Sequence, residues 1–244
     1  MVVIDVEDFL AHYGTKGMKW GLRKEQPTSS KIPKYSVSKD GQVQIDKGYK
    51  LQRVYQAGKT ADGSTGTNYF SFTENDNHTY IKTMGSGVDS KFGFIRKMAA
   101  NTIGTSVATE PLKSPSRKEA FEILKASIAQ AGTAPGVTVF KKDFSDEDAL
   151  DWSQNAQGQL SLGKDSALKQ TYYKNLRAKG YNILLDETDS GFVSELPIVV
   201  LDGAKSTRQI QVSDLNRKSL DTAKDFLKQN GGKTIRSLEE LAKG

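Results

Sequence analysis

The run His12-Tyr13-Gly14-Thr15-Lys16-Gly17-Met18-Lys19-Trp20-Gly21-Leu22-Arg23-Lys24 holds the residues whose types and spacing are most suited to a task, and that task is recognition of another surface. Gly14, Gly17 and Gly21 recur at spacings of three and four, removing side chains where the backbone must turn or lie close against a neighbour. Lys16, Lys19, Arg23 and Lys24 fill the gaps, and Met18 and Trp20 stand among them. An aromatic plug inside a cationic rim is the composition of an anchoring peptide; a mobile basic tail is the alternative reading. Other chemistry is poorly supplied. Cysteine is absent, which excludes disulfides, thiolate zinc sites and thiol catalysis. His12 and His78 are the two imidazoles, so no histidine-rich metal site is expected.

The same run resembles the H-[HY]-G-x-[KL]-G-[MQ]-[KR]-W-G-[VIL]-R-[RK] signature near the N-terminus of many tailed-phage and prophage proteins of Gram-positive hosts. In that group a short acidic-apolar segment ending in Leu-x-His precedes the signature, as Asp5 to His12 does here. The resemblance implies phage origin and association with the virion or its assembly. Docking is then expected through His12, Tyr13, Gly14, Lys16, Gly17, Met18, Lys19, Trp20, Gly21 and Arg23.

Charge agrees with a specialised arm. The formal net charge is +6, and residues 13–50 carry nine Lys or Arg against three acids, a +6 of their own. The arm therefore suits an acidic protein surface or packaged nucleic acid, or simply stays solvated. Nothing resembles an RNA-binding or helix-turn-helix pattern, so sequence-specific nucleic-acid binding is not expected. No apolar run approaches the roughly 18 residues that span a bilayer, and no signal-peptide pattern opens the chain. With 244 residues and 36% hydrophobic content, the chain can hold one large domain or one domain with appended arms.

Three segments must position these groups: residues 1–42 as docking arm and linker, 43–212 as a folded body, and 213–244 as a helical tail. Val3, Val6, Phe9 and Leu10 form the stripe of a short amphipathic helix. Residues 25–40, with Pro27 and Pro33, read as an extended linker, and Asp40-Gly41 as a turn opening a hairpin. Strands are expected at Lys50 to Gln56 and Asn68 to Phe72. Helices follow: one capped by Thr73 through Met84, one opened by the Ser116-Arg-Lys-Glu119 capping box to about Gln130, a short one from Ser145, and one from Lys164 to Lys179 with Leu168, Tyr172 and Leu176 buried. Tyr181 to Asp186, Pro197 to Leu201 and Arg208 to Val212 return to strands. Strands, helices, then strands argue for an α+β body. Beyond Ser213, two helices broken by Gly231-Gly232 complete the chain.

Residues 46–212 are also similar to the ADP-ribosyltransferase-like domains of phage and prophage proteins. Lys50-Leu-Gln-Arg53 resembles the first strand of that family, Tyr69-Phe-Ser71-Phe-Thr73 its Ser-x-Ser/Thr strand, and Ser194-Glu195-Leu-Pro197-Ile-Val-Val-Leu its acidic pair before an apolar strand. The resemblance implies a mixed sheet with helices, NAD as cofactor, Arg53 on the dinucleotide phosphates, Ser71 and Thr73 bracing the nicotinamide pocket, and Tyr69, Phe72 and Tyr80 stacking on a ring. The chemistry suits those types: a guanidinium binds phosphate through paired charge-assisted hydrogen bonds, and a carboxylate stabilises the positive charge that develops at the ribose. Against this, Arg53 can equally be a cation on a strand's outer face, and Ser71 and Thr73 an ordinary strand end and cap.

One departure weighs on activity. Glu195 aligns with the first acidic position and Pro197 with the second, where the family usually carries catalysis. Glu195 from a shifted register, or Asp186, Glu187 or Asp189, would have to substitute, and a one-residue slip reverses which face a side chain occupies. The expectation is therefore a virion-associated or assembly-associated protein that docks on a phage head, portal or connector component with a non-catalytic body. The alternative is a packaged NAD-dependent mono-ADP-ribosyltransferase that modifies a host protein after delivery. Either places the protein in the virion or the infected-host cytoplasm.

Overall fold

The structure, a computed structural model, describes residues 32–56, 69–71, 74–85, 101–134, 137, 145–188, 196–231, 238 and 241. The chain divides between Ile32 and Pro33, and the fold is that of the second unit, Pro33–Gly244. The arm helix, the docking residues His12 to Arg23, and Thr73 and Glu195 lie outside the described residues.

The fold is mixed α+β, with three antiparallel three-stranded sheets among the described residues. The first holds β1 (Tyr35–Val37), β2 (Val43–Ile45) and β6 (Leu112–Lys113); the second, β3 (Lys50–Gln56), β5 (Asn101–Ala108) and β9 (Thr207–Asp214). The third runs in the order β4 (Tyr69–Phe70), β8 (Ile198–Val200), β7 (Ile183–Leu185). Among the described residues the helices are α1 (Glu74–Gly85), α2 (Arg117–Ala131), α3 (Asp146–Leu162), α4 (Ala167–Ala178), α5 (Gly203–Ser206) and α6 (Arg217–Gln229).

The third sheet is the middle layer. Ile183, Leu185, Ile198 and Val200 face Val37, Val43 and Ile45 of the first sheet. Leu184 and Val199 face Leu124, Leu168, Tyr172 and Leu176 of the helices. Burial on both faces explains why β7 and β8 are unbroken apolar runs without alternation. A separate core seats α1 and α6 on the second sheet through Ile81, Leu215 and Ala223, with Val54 and Ile103 beneath.

Several elements differ from their sequence expectations. Tyr35–Val37, inside the expected linker, pairs with Val43–Ile45 across the Asp40-Gly41 turn. Its outward Ser36 and flanking lysines hide a strand whose Val37 is buried. Gly41 has φ +81°, and a Cβ there would meet Arg117 Cγ and Glu187 Oε1 at 3.2 Å each, so glycine is needed both for the turn and for the packing. The helix from Ser145 runs 17 residues, with alanine, glycine, serine and glutamine on much of its buried face, which weakens its apolar signal. The central strand β5 was not expected, because Thr102, Thr105 and Ser106 supply buried positions that usually carry apolar side chains.

The Ser116 capping box is present as expected. Glu119 Oε2 accepts from Ser116 N at 2.9 Å and from its hydroxyl at 2.8 Å, while Oε1 accepts from the Tyr181 hydroxyl at 2.6 Å. These bonds, the Tyr181 one first, hold the Glu119 carboxyl below its ordinary 4.5. Burial, then the carboxylate, pushes the Tyr181 phenol up to about 12. The stability that Glu119 adds is thus present above pH 4.5 and lost as pH falls through its depressed value, whereas that of Tyr181 is complete below pH 10.0 and lost as pH rises through about 12. Melting curves across pH should show Glu119→Gln flattening the acid limb and Tyr181→Phe the alkaline limb; unchanged limbs would refute the coupling.

Candidate functional site

β3 and β4 belong to different sheets and meet at one bridge. Gln52 N donates to Ser71 O at 3.2 Å, and Ser71 N to Gln52 O at 2.7 Å. Arg53, the next residue, is thereby brought to Phe70: its guanidinium carbon lies 5.2 Å from the Phe70 ring centroid and 5.4 Å from that of Tyr55. Both distances allow attraction between the cation and the ring faces. Arg53 is 6% exposed, so it is not a cation on an outer face.

Helix α1 closes the side. Asn77, Tyr80 and Met84 recur at three and four residues and share one helix face. Together with Arg53, Val54, Tyr69, Phe70, Ser71, Leu162 and Pro197 they line a cavity of about 200 Å³. Arg53, Ser71 and Tyr80, three of the expected site residues, are thus brought together from β3, β4 and α1.

Asn77 was not singled out in the sequence, and nothing local would have marked it. Its side chain is fully buried; Nδ2 donates to Gln52 Oε1 at 3.2 Å, and Oδ1 accepts from the Ser71 hydroxyl at 3.4 Å. One amide therefore clasps the two strands at their bridge. At the opposite wall the Tyr69 hydroxyl donates to Asp186 Oδ2 at 2.7 Å, while Thr188 donates to Oδ1 from its backbone N at 3.1 Å and from its hydroxyl at 2.9 Å. Asp186 N donates to Pro197 O at 2.9 Å, which fixes this 3% exposed residue beside the cavity lining. Leu162, at the end of α3, is held by Lys169, whose ammonium donates to Ser161 O and Gly163 O at 3.1 and 3.0 Å. Burial holds that ammonium below its ordinary range.

A cavity of aromatic and apolar walls, lined by the guanidinium of Arg53, the amide of Asn77 and the hydroxyl-bearing Ser71, Tyr69 and Tyr80, suits a planar ring that carries an anionic group. Burial raises the Tyr55 phenol, opposed by the neighbouring Arg53 charge. Among the described residues no three His, Asp or Glu side chains cluster as a metal site would require, and no helix is long and apolar enough to cross a membrane.

Comparison with known proteins matches residues 3–27 to a family described as a family of unknown function (DUF7211). No curated protein and no solved structure matches the chain.

Asn77→Ala should lower unfolding free energy by about 2 kcal/mol, from two lost hydrogen bonds of about 1 kcal/mol each. Urea denaturation measures this, and a loss below about 0.5 kcal/mol would show that the amide clasps nothing of consequence.

Proposed function

We propose that the chain is a phage virion-associated or assembly-associated protein, docked through its N-terminal arm onto a head, portal or connector component, with an ADP-ribosyltransferase-like body that holds a nucleotide without cleaving it. The observation that carries the second half is Pro197, which lines the same cavity as Arg53 and Ser71. The resembling enzymes place their catalytic carboxylate at that position, and proline has none to offer. The first half rests on the resemblance of His12 to Lys24 to the phage N-terminal signature.

The cavity residues fit part of NAD. Arg53 would hold a phosphate, Tyr69 and Tyr80 would flank a ring, and Ser71, braced by Asn77, would hydrogen-bond it. NAD, when bound, would supply an ADP-ribosyl group for transfer. The alternative reading, a packaged transferase acting on a host protein, draws on Asp186, whose carboxylate is bonded to Tyr69 on the cavity wall.

Calorimetric titration with NAD should show binding by the wild type that weakens roughly tenfold or more in Arg53→Ala, the loss of a charge-assisted hydrogen bond of about 1.5–3 kcal/mol. Nicotinamide release should remain at background in the wild type, Arg53→Ala, Glu195→Gln and Asp186→Asn. Turnover abolished by either carboxylate change would establish the transferase, and absence of NAD binding would reject the nucleotide-holding body.

Trp20→Ala should cost about 2 kcal/mol or more of partner affinity, the loss expected of an aromatic anchor. Unchanged incorporation of that variant into particles would reject the anchor. A steep loss of docking with rising salt would instead assign the contact to Lys16, Lys19, Arg23 and Lys24.

A further inference from the structure

A second, much smaller cavity lies beneath the Arg117–Glu187 ion pair, where α3 packs against the start of α2 and the end of β7. Gln154 and Gln157 of α3 line it and are 8% and 3% exposed. Gln154 Oε1 and Gln157 Nε2 are buried, and neither meets a hydrogen-bonding group of the protein. Gln157 is fixed by its other end, because Oε1 accepts from the hydroxyl of the fully buried Tyr172 at 2.9 Å. Leaving a buried amide donor and a buried amide acceptor both unsatisfied would leave the desolvation cost of each uncompensated.

The cavity offers about 10 Å³, the space of roughly one water-sized sphere. One wall atom needs an acceptor and the other a donor. A cation would be repelled by the amide N–H, and an anion by the amide oxygen and the Glu187 carboxylate. Water satisfies both at that size, and Glu187 lines the cavity as a further acceptor.

We propose that a single ordered water is a structural ligand of this fold, accepting from Gln157 Nε2 and donating to Gln154 Oε1. It completes a buried polar chain from Tyr172 of α4 to Gln157 and Gln154 of α3. The chain explains why a helix face that packs into the apolar core carries two glutamines. It does not depend on the nucleotide reading of the larger cavity.

Two measurements test it. A high-resolution crystal structure should show a water within hydrogen-bond distance of both amide atoms. Gln154→Met, which keeps the side-chain length and removes the acceptor, should lower Tm by roughly 2–4 °C, the shift about 1 kcal/mol gives in a domain of this size. A dry cavity, or a Gln154→Met protein that melts higher because an unsatisfied acceptor has been replaced by an apolar group, overturns the proposal.

Discussion

The antiparallel bridge between Gln52 and Ser71 joins the second sheet to the third, where Leu51 and Ala108 share a core with Phe70, Ile183 and Ile198, and the larger cavity lies beside it. β4 is two residues long and pairs with β8 on its other side, so its placement rests on few bonds. The bridge fixes where β3 passes, and hence where Arg53 enters the interior. Asn77 then ties the side chains at the same point from a third element, α1. Loss of the bridge would free the guanidinium from Phe70 and the Ser71 hydroxyl from the wall together.

Burying a guanidinium costs several kcal/mol even after the surroundings relax. Faces such as Tyr55 and Phe70 return about 0.5–2 kcal/mol each. The physical ground for treating the cavity as a candidate binding site is its lining, where Arg53, Ser71 and Asn77 meet aromatic and apolar walls.

What the sequence made legible follows how far apart the interacting residues are. The Ser116 box closes over three residues, and Leu168, Tyr172 and Leu176 repeat at helical spacing, so both are readable locally. β3 was also clear, from its alternation and the turn before it. β5 was not, because its buried threonines and serine imitate a loop. The Tyr69–Asp186 bond spans 117 positions, and the Asn77 clasp links three elements, so no window on the chain contains either. Arg53, Ser71 and Tyr80 were reached only through a resemblance that told which distant residues to consider together.

The polar atoms behind the walls constrain the site as much as those that line it. Asp186 holds Tyr69 by its carboxylate and Pro197 by its backbone, so one residue sets the spacing between a strand from early in the chain and one from late in it. Its neighbour Glu187 pairs with Arg117 at the base of α2, which ties that spacing to the helical layer. A carboxylate committed to three hydrogen bonds is well placed to position an aromatic wall and poorly placed to leave it for chemistry. This geometry makes Asp186 a positioning residue for the Tyr69 wall.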